Sequence, residues 1–380
     1  MQSRLRTGTL HCGLFRIAAR TTSDQGRTPG LRGGGAALVS ANMAKGMNVG
    51  EWVEVRPEAE ILRTLDEHGQ LDGMPFMPEM LRFCGQKFQI YKRAHKTCDS
   101  VARQSRQIER AVHLQTRCSG DDHGGCQAGC LLFWKEAWLR PLESREGAGS
   151  IPREGNQEYS RSPSSCTKGD LLGHTSVREG ESVRYLCQIT QIRSASTPLR
   201  WWELRQYLED FRSGNVGLWR IVCGAATAIC LALGHAGMGI GHVVRWAHDH
   251  LHFRWRGRPF PRRVGTIPRG QRTPLAVLNL QPGELVRVRS IKEIEQTLDT
   301  AGQNRGLYFD PEQVPYVNRT FRVAFRVERI ISEETGQMIE LKTPSVALES
   351  VVCQGRYSAC RMFCPKSSFV LWREGWLERR

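Results

Sequence analysis

Acidic side chains are almost absent from the first 46 residues, where Asp24 stands alone against seven Arg and Lys residues. The stretch also lacks the continuous apolar core of a secretory signal. So little hydrophobicity cannot offset the entropy that a chain loses on folding. We therefore expect residues 1–46 to be a disordered leader, either a targeting segment rich in Arg, Ser and Thr or a mis-assigned start upstream of Met47.

Signatures of catalysis are also missing. No Ser/His/Asp set, phosphate-binding loop or paired-carboxylate pattern can be placed along the chain. The glycines of 237–241 do not have the spacing of a dinucleotide-binding motif. The sequence therefore identifies no catalytic residue and leaves open whether the protein is an enzyme.

The formal charge of +16 is concentrated in two stretches. The leader contributes +6, and residues 245–272 contribute +7 from eight arginines and one aspartate. The rest of the chain carries only +3. The basic pI therefore does not by itself predict a nucleic-acid partner.

The most informative pattern that is present is an internal repeat. Residues 50–93 align with residues 283–326 at a constant offset of 233, with 18 identities in 44 positions and no gap. The end of each copy matches too, because WKEAWL at 134–139 returns as WREGWL at 372–377. Two copies predict a duplicated domain rather than a solenoid, which needs three or more units.

Each copy is predicted to fold as a small α+β module. GEWVEVR at 50–56 and GELVRVR at 283–289 alternate apolar and polar residues, which favours a half-buried strand. A short helix is expected at 58–67 and again at 291–300, each followed by a glycine. Further strands are expected at 87–91, 111–114 and 131–138, and at 320–326, 345–348 and 369–377.

The Gly-Glu-x-Val-x-Val opening of each copy resembles the first strand of KOW and related Src-homology-type small β-barrels. This resemblance implies a barrel but no binding residues. Over residues 47–380 the chain also resembles a bacterial family of tandem-module, cysteine-containing proteins, on the segments LDGMPFMPEMLRFCG, FWKEAWL and FDPEQVPYV. We thus expect an α+β protein with two duplicated, small β-barrel-like modules, at 47–141 and 283–380, that flank a helical middle.

The middle of the chain divides into two parts. Residues 142–198 are rich in Ser, Gly, Arg and Glu and are expected to be a linker with one strand at 185–189. Residues 199–282 are predicted to be helical, with an amphipathic helix near 199–212 and an uncharged run at 221–244. That run can be a membrane span, an interfacial helix or a buried helix. The basic stretch 245–272 that follows it would suit an anionic membrane surface.

The clearest chemical signal is the spacing of the cysteines, thirteen of which occur in a chain without an export signal. In a reducing compartment such cysteines stay thiols or bind metal. In the first copy, four thiolates can be supplied by Cys98, Cys118, Cys126 and Cys130. Tetrahedral zinc requires four such ligands, and an iron–sulfur cluster could use the same set. A histidine could replace one cysteine, and the candidates are His95, His113 and His123.

The second copy offers three cysteines, Cys353, Cys360 and Cys364, because Ile331 occupies the position that aligns with Cys98. Residues 283–380 contain no histidine. A fourth ligand would have to come from elsewhere, with Cys187 and Cys166 as candidates, or else the three thiols pack as core residues. A further cluster could bind a transition metal or be a solvated surface, and it consists of His248, His250 and His252.

These patterns favour a tandem binding or scaffold protein that has a protein partner and structural zinc sites in its modules. We expect it to be cytoplasmic or membrane-associated. Two alternatives remain. One is a redox or metal-dependent enzyme with a cysteine-built site between the modules. The other is a nucleic-acid-binding protein, which the near-neutral modules disfavour.

Overall fold

The computed structural model describes residues 46–102, 104–142, 166–234, 243–244, 246–247, 263–357 and 361–380. Residues 47–380 form one unit. The protein is mixed α+β, and its α-helices include α1 (Glu58–Leu62), α2 (Lys168–Gly173), α3 (Arg205–Arg212), α4 (Leu218–Gly234) and α5 (Ile291–Glu295). The leader and the three histidines at 248, 250 and 252 lie outside the described residues, as does most of the basic stretch.

The alternating segment after Gly50 forms a strand, as its pattern predicts, with Val53 and Val55 fully buried. The strands of the first module are β1 (Trp52–Val55), β2 (Gln70–Leu71), β3 (Met74–Pro75), β4 (Lys87–Gln89), β5 (Lys92–Arg93), β6 (Lys96–Asp99), β7 (Gln104–Gln107), β8 (Ala111–Arg117), β9 (Leu131–Lys135) and β10 (Leu139–Pro141). β1 lies between β10 and β4 and is antiparallel to both. β8 lies between β5 and β9 in a second sheet, and β7 pairs with β6 in a third.

The second module repeats this opening, with Val286 and Val288 buried. Its strands are β14 (Leu285–Val288), β15 (Gln303–Asn304), β16 (Leu307–Tyr308), β17 (Thr320–Ile331), β18 (Met338–Leu348), β19 (Trp372–Arg373) and β20 (Leu377–Arg379). β14 lies between β17 and β20 and is antiparallel to both, which is the same pairing as that of β1.

A tryptophan lies at the centre of each module's core. Phe76 meets Trp138 edge-on with ring centroids 5.1 Å apart, and Phe309 meets Trp376 at 5.3 Å. Both indoles are fully buried. Trp138 and Trp376 are the second tryptophans of the WxxxWL repeat. Each immediately precedes the strand that pairs with its module's first strand, so the repeat marks the same place in both cores.

The same hydrogen bonds fix these tryptophans. Trp138 Nε1 donates to Thr64 Oγ1 at 3.1 Å, and Trp376 Nε1 donates to Thr297 Oγ1 at 2.9 Å. Each threonine hydroxyl in turn donates to a carbonyl three residues earlier, at 2.7 Å in both modules. A buried indole N–H needs such an acceptor.

The expected closure into barrels is not found among the described strands, which form small open sheets. The second module comes nearest, with the strand order β19-β18-β17-β14-β20. Its two edge strands, β19 and β20, are joined by a 3-10 helix at Glu374–Trp376. The backbone of this helix does not extend either ladder, so the sheet stays open at that point.

Residues 166–198, which were expected to belong to a linker, fold onto the first module. β11 (Ser176–Glu179) and β12 (Ser182–Tyr185) form a hairpin, and β13 (Thr197–Leu199) pairs with β7. In place of the strand predicted at 185–189, β12 ends at Tyr185 and a turn follows. There the Gln188 side chain accepts from Phe133 N at 2.8 Å and donates to Phe133 O at 2.9 Å.

The predicted amphipathic helix is α3, and the uncharged run begins within α4. α4 ends at Gly234, and residues 235–242 lie outside the described part of the chain. Of the helices that the structure describes, none combines the length and apolar character needed to cross a bilayer.

Candidate metal centre

The loop that joins β8 to β9 brings three of the predicted cysteines together. Cys118 N donates to Cys130 O at 2.8 Å, which closes the base of the loop. Gly120 is required at the first turn, because its φ is +80° and a Cβ there would lie 2.0 Å from Cys126 O. Cys118, Cys126 and Cys130 consequently line one pocket.

A fourth cysteine enters this pocket from outside the module. Cys187 lies in the turn after β12 and lines the same cavity. It is held there because the neighbouring Gln188 side chain bonds to the backbone of β9. We call Cys118, Cys126, Cys130 and Cys187 the first thiol cluster.

His123 also lines the pocket and is 1% exposed. Its Nε2 lies 3.1 Å from Leu186 O. Since a carbonyl can only accept, Nε2 carries the proton and Nδ1 presents a lone pair. Nδ1 is buried and has no hydrogen-bond partner among the described residues. An imidazole that donates one N–H to a carbonyl and keeps the other nitrogen free has the arrangement of a metal ligand.

Two of the sulfurs accept backbone hydrogen bonds. Ile331 N, from β17 of the second module, donates to Cys126 Sγ at 3.4 Å. The amide groups of Ile189 and Thr190 donate to the sulfur of Cys187. Hydrogen bonds of this kind favour the thiolate, which is the form that binds metal.

Burial opposes ionisation of these thiols. It raises the pKa of Cys187 despite the amide donors, and raises that of Cys130 to about 12. The pKa of Cys118 is raised further, first by burial and then by the charge of Glu79. Without a cation, Cys118, Cys130 and Cys187 are therefore protonated at neutral pH.

A second thiol cluster lies between the modules and consists of Cys98, Cys353 and Cys364. Cys98, on β6 of the first module, lies close enough to Cys364 of the second for the two thiols to act on each other's ionisation. This contact lowers the pKa of Cys364 and raises that of Cys98. Cys353 is close enough for its charge to act on both, and the ammonium of Lys366 favours the thiolate of Cys364.

The two clusters are reciprocal across the module interface. The second module supplies Ile331 to the first cluster, and the first module supplies the aligned residue, Cys98, to the second. Two nearby hydrogen bonds also join the first module to the second. Gln127 N donates to Arg329 O at 3.0 Å, and Arg117 donates to Ser367 O at 3.0 Å.

The predicted site residues are thus divided differently from the expectation that Cys98 completes the first site. The structure places Cys98 against Cys364, and Cys187 among Cys118, Cys126 and Cys130. Cys360 lies outside the described residues, and Cys166 is buried next to Thr167, the N-cap residue of α2. Within the described ranges, no group of three or more Cys, His, Asp or Glu side chains is arranged so that it could hold a metal ion as it stands.

The other two candidate histidines are buried elsewhere. His113 Nδ1 lies 2.8 Å from Leu132 O within the β8–β9 sheet, and His95 Nε2 lies 3.3 Å from Asp210 Oδ1. Spacing alone could not assign Cys187, because it is 57 positions from Cys130 and no repeat marks it. Its only signal was its residue type.

The fold and its thiol clusters define a mixed α+β protein with two cysteine-rich sites. No family model, no curated protein and no solved structure matches the chain.

Proposed function

We propose that this protein is a tandem-module scaffold in which the first thiol cluster and His123 bind a structural zinc ion. The single observation that carries the proposal is that His123, whose buried Nδ1 has no hydrogen-bond partner among the described residues, lines the same pocket as four thiols. Core packing does not require an unpaired imidazole nitrogen, and leaving one buried costs about 1 to 3 kcal/mol. A metal ion would recover that cost.

Zinc binding would require the side chains to draw together. Five donors are available, namely the four thiols and His123 Nδ1, and tetrahedral zinc needs four of them. Each thiol would release its proton on binding, so the cation would overcome the raised pKa values of Cys118 and Cys130. Iron could use the thiols in the same way and would give a coloured protein.

The scaffold part of the proposal is supported by features that the two modules share. The pairing of the first strand and the tryptophan–threonine bond recur in both. A buried glutamate also recurs. Glu79 accepts from Ser119 N at 2.7 Å, and Glu312 accepts from Arg356 N at 2.6 Å, so each carboxylate holds its module's cysteine loop. Zinc would fix the loop that contacts the other module, in a chain whose described cysteines are all free thiols.

The test is metal analysis of the full chain purified under reducing conditions. We expect at least one equivalent of zinc, lost together with thermal stability in Cys126→Ser and in Cys187→Ser, because binding and folding are linked. Substitution by cobalt should give the absorption of a tetrahedral thiolate site. Cys84→Ser is the matched control, since Cys84 is a half-buried thiol of the same module outside the pocket.

Zinc content and melting temperature that are unchanged in both cluster variants would leave these thiols as core packing. Iron in place of zinc, with visible absorbance, would keep the site but change its metal.

A second candidate function is favoured by the close approach of Cys98 to Cys364, which puts a thiol next to a sulfur of lowered pKa. With a hydroperoxide as oxidant, the Cys364 thiolate would attack the peroxide oxygen and form a sulfenic acid. The Cys98 sulfur would then displace hydroxide, giving one disulfide and, for hydrogen peroxide, two waters from two thiols. This disulfide would covalently join the modules.

Peptide mapping after peroxide treatment distinguishes the two functions at this cluster. A Cys98–Cys364 linked peptide that is absent from Cys98→Ser supports the redox function. If both thiols stay reactive toward an alkylating agent, the redox function fails. A zinc equivalent that Cys98→Ser loses and Cys126→Ser keeps would instead make the second cluster another metal site.

A further inference from the structure

The helix α3 turns a polar face toward the protein and an apolar face toward solvent, which is the reverse of the usual arrangement of a surface helix. Its buried residues are polar, since Asp210 is fully buried and Gln206 nearly so. Tyr207 packs inward against Phe363, but Leu208 and Phe211 face outward and are about half exposed, and Leu204, just before the helix, is 78% exposed. Surface helices normally present the opposite faces.

This inversion is fixed by the first module. Asp210 Oδ2 lies 2.5 Å from Lys96 Nζ, and both side chains are buried. Glu209 pairs with Arg93 at 3.1 Å. Rotating the helix to bury Leu208 and Phe211 would break both ion pairs and leave Lys96 buried without its counter-ion, which costs about 3 to 5 kcal/mol. The outward apolar face is therefore a stable feature of the fold.

The next helix, α4, also exposes apolar side chains. Its exposed side chains recur at helical spacing, and they are Leu218, Trp219, Val222, Ile229 and Leu233. Trp219 is 76% exposed, and two further exposed indoles, Trp201 and Trp202, precede α3. An exposed patch of this extent marks an interaction surface.

The charges around this patch are basic. Arg200, Arg205, Arg212 and Arg220 are all exposed. Of the acidic residues between positions 199 and 234, Glu209 pairs with Arg93 and Asp210 is buried, which leaves Glu203 as the exposed carboxylate. The chain continues from this surface into the arginine-rich stretch 245–272.

We propose that the α3–α4 surface docks on an anionic phospholipid bilayer. Tryptophans and aliphatic side chains flanked by arginines, on helices that lie along a surface, suit the interface between headgroups and acyl chains. A second copy of the chain is disfavoured as the occupant, because it would bring the two sets of arginines together. This docking does not depend on metal in either thiol cluster.

Vesicle flotation of the full chain tests the proposal. We expect binding to vesicles of phosphatidylcholine with about one third phosphatidylserine, weaker binding to phosphatidylcholine alone, and loss of binding as salt rises. Each of Arg212→Gln and Arg220→Gln should weaken binding about fivefold, since a basic residue near such a surface contributes about 1 kcal/mol.

Trp219→Ser should reduce partitioning by at least tenfold, because burial of an indole at the interface is lost. The fold should survive, since the side chain is exposed. The matched control is Trp52→Ser, which removes an exposed indole of β1 and should leave binding unchanged.

No flotation with the anionic vesicles would overturn the proposal, as would equal binding to both vesicle types. A dimer in light scattering that Trp219→Ser disperses would assign the surface to a second copy instead.

Discussion

His113 shows how a single buried side chain couples stability to pH. The ring is fully buried between β8 and β9, and burial lowers its pKa to about 3. In the unfolded chain the pKa is near 6.5. Below pH 6.5 the unfolded state therefore binds a proton that the folded state excludes, so stability falls as pH falls from about 6.5 toward 3.

We predict that His113→Asn reduces this acid sensitivity. The Asn amide can replace the Nδ1–H that bonds to Leu132 O at 2.8 Å, and it does not titrate. The free energy of unfolding of the original protein should fall by up to about 1.4 kcal/mol per pH unit more steeply than that of the variant. Urea titrations at pH 7, 6, 5 and 4 measure the slopes. His68→Asn, at an exposed position, serves as control, and identical slopes for all three proteins would refute the assignment.

The sequence identified which cysteines were candidate ligands, but it could not show which of them lie together in the fold. The spacing drew attention to Cys118, Cys126 and Cys130 as candidate ligands, and all three line one pocket. It could not show that Cys98 crosses to the other module or that Cys187 replaces it. Both assignments depend on contacts between segments that are far apart in the chain, and a local pattern carries no information on such contacts.

At the scale of elements, alternation and turn residues predicted the strands that open each module, because one face of each lies on the core. The helices after them are shorter than expected. α1 ends at Leu62 and α5 at Glu295, where the predicted stretches ran on to 67 and 300. Asp66 and Asp299 instead accept from amides of the following turn, which ends the helical pattern earlier.

The helix α3 shows a limit of periodicity as a signal. Apolar residues at helical spacing predicted an amphipathic helix, and the helix is present. Periodicity shows that a helix has a polar and an apolar face, but it does not show which of the two faces is buried. The orientation of α3 is set by Lys96, which lies more than 100 positions earlier in the chain. Its buried ammonium requires the Asp210 carboxylate as a counter-ion.

At the scale of the whole molecule, the internal repeat predicted two modules with the same opening strand but not how they meet. The reciprocal contacts use residues that differ between the copies, such as Cys98 and Ile331. The expectation of barrels was wrong for the described strands, which form open sheets. The pattern of a glycine-led strand predicts that strand alone and does not predict whether the sheet around it closes.

If the tryptophan–threonine bond that the two modules share contributes equally to the stability of each, matched substitutions should have matched effects. Thr64→Val and Thr297→Val keep the side-chain shape but remove the acceptor for Trp138 Nε1 and Trp376 Nε1. Each leaves a buried indole N–H unpaired, so each should lower the free energy of unfolding by about 1 to 3 kcal/mol. Chemical denaturation of both variants checks this. Thr300→Val, at an exposed position near the second of these threonines, should have little effect. A large loss in one module with none in the other would show that the two cores, despite their shared bonds, contribute to the fold in different ways.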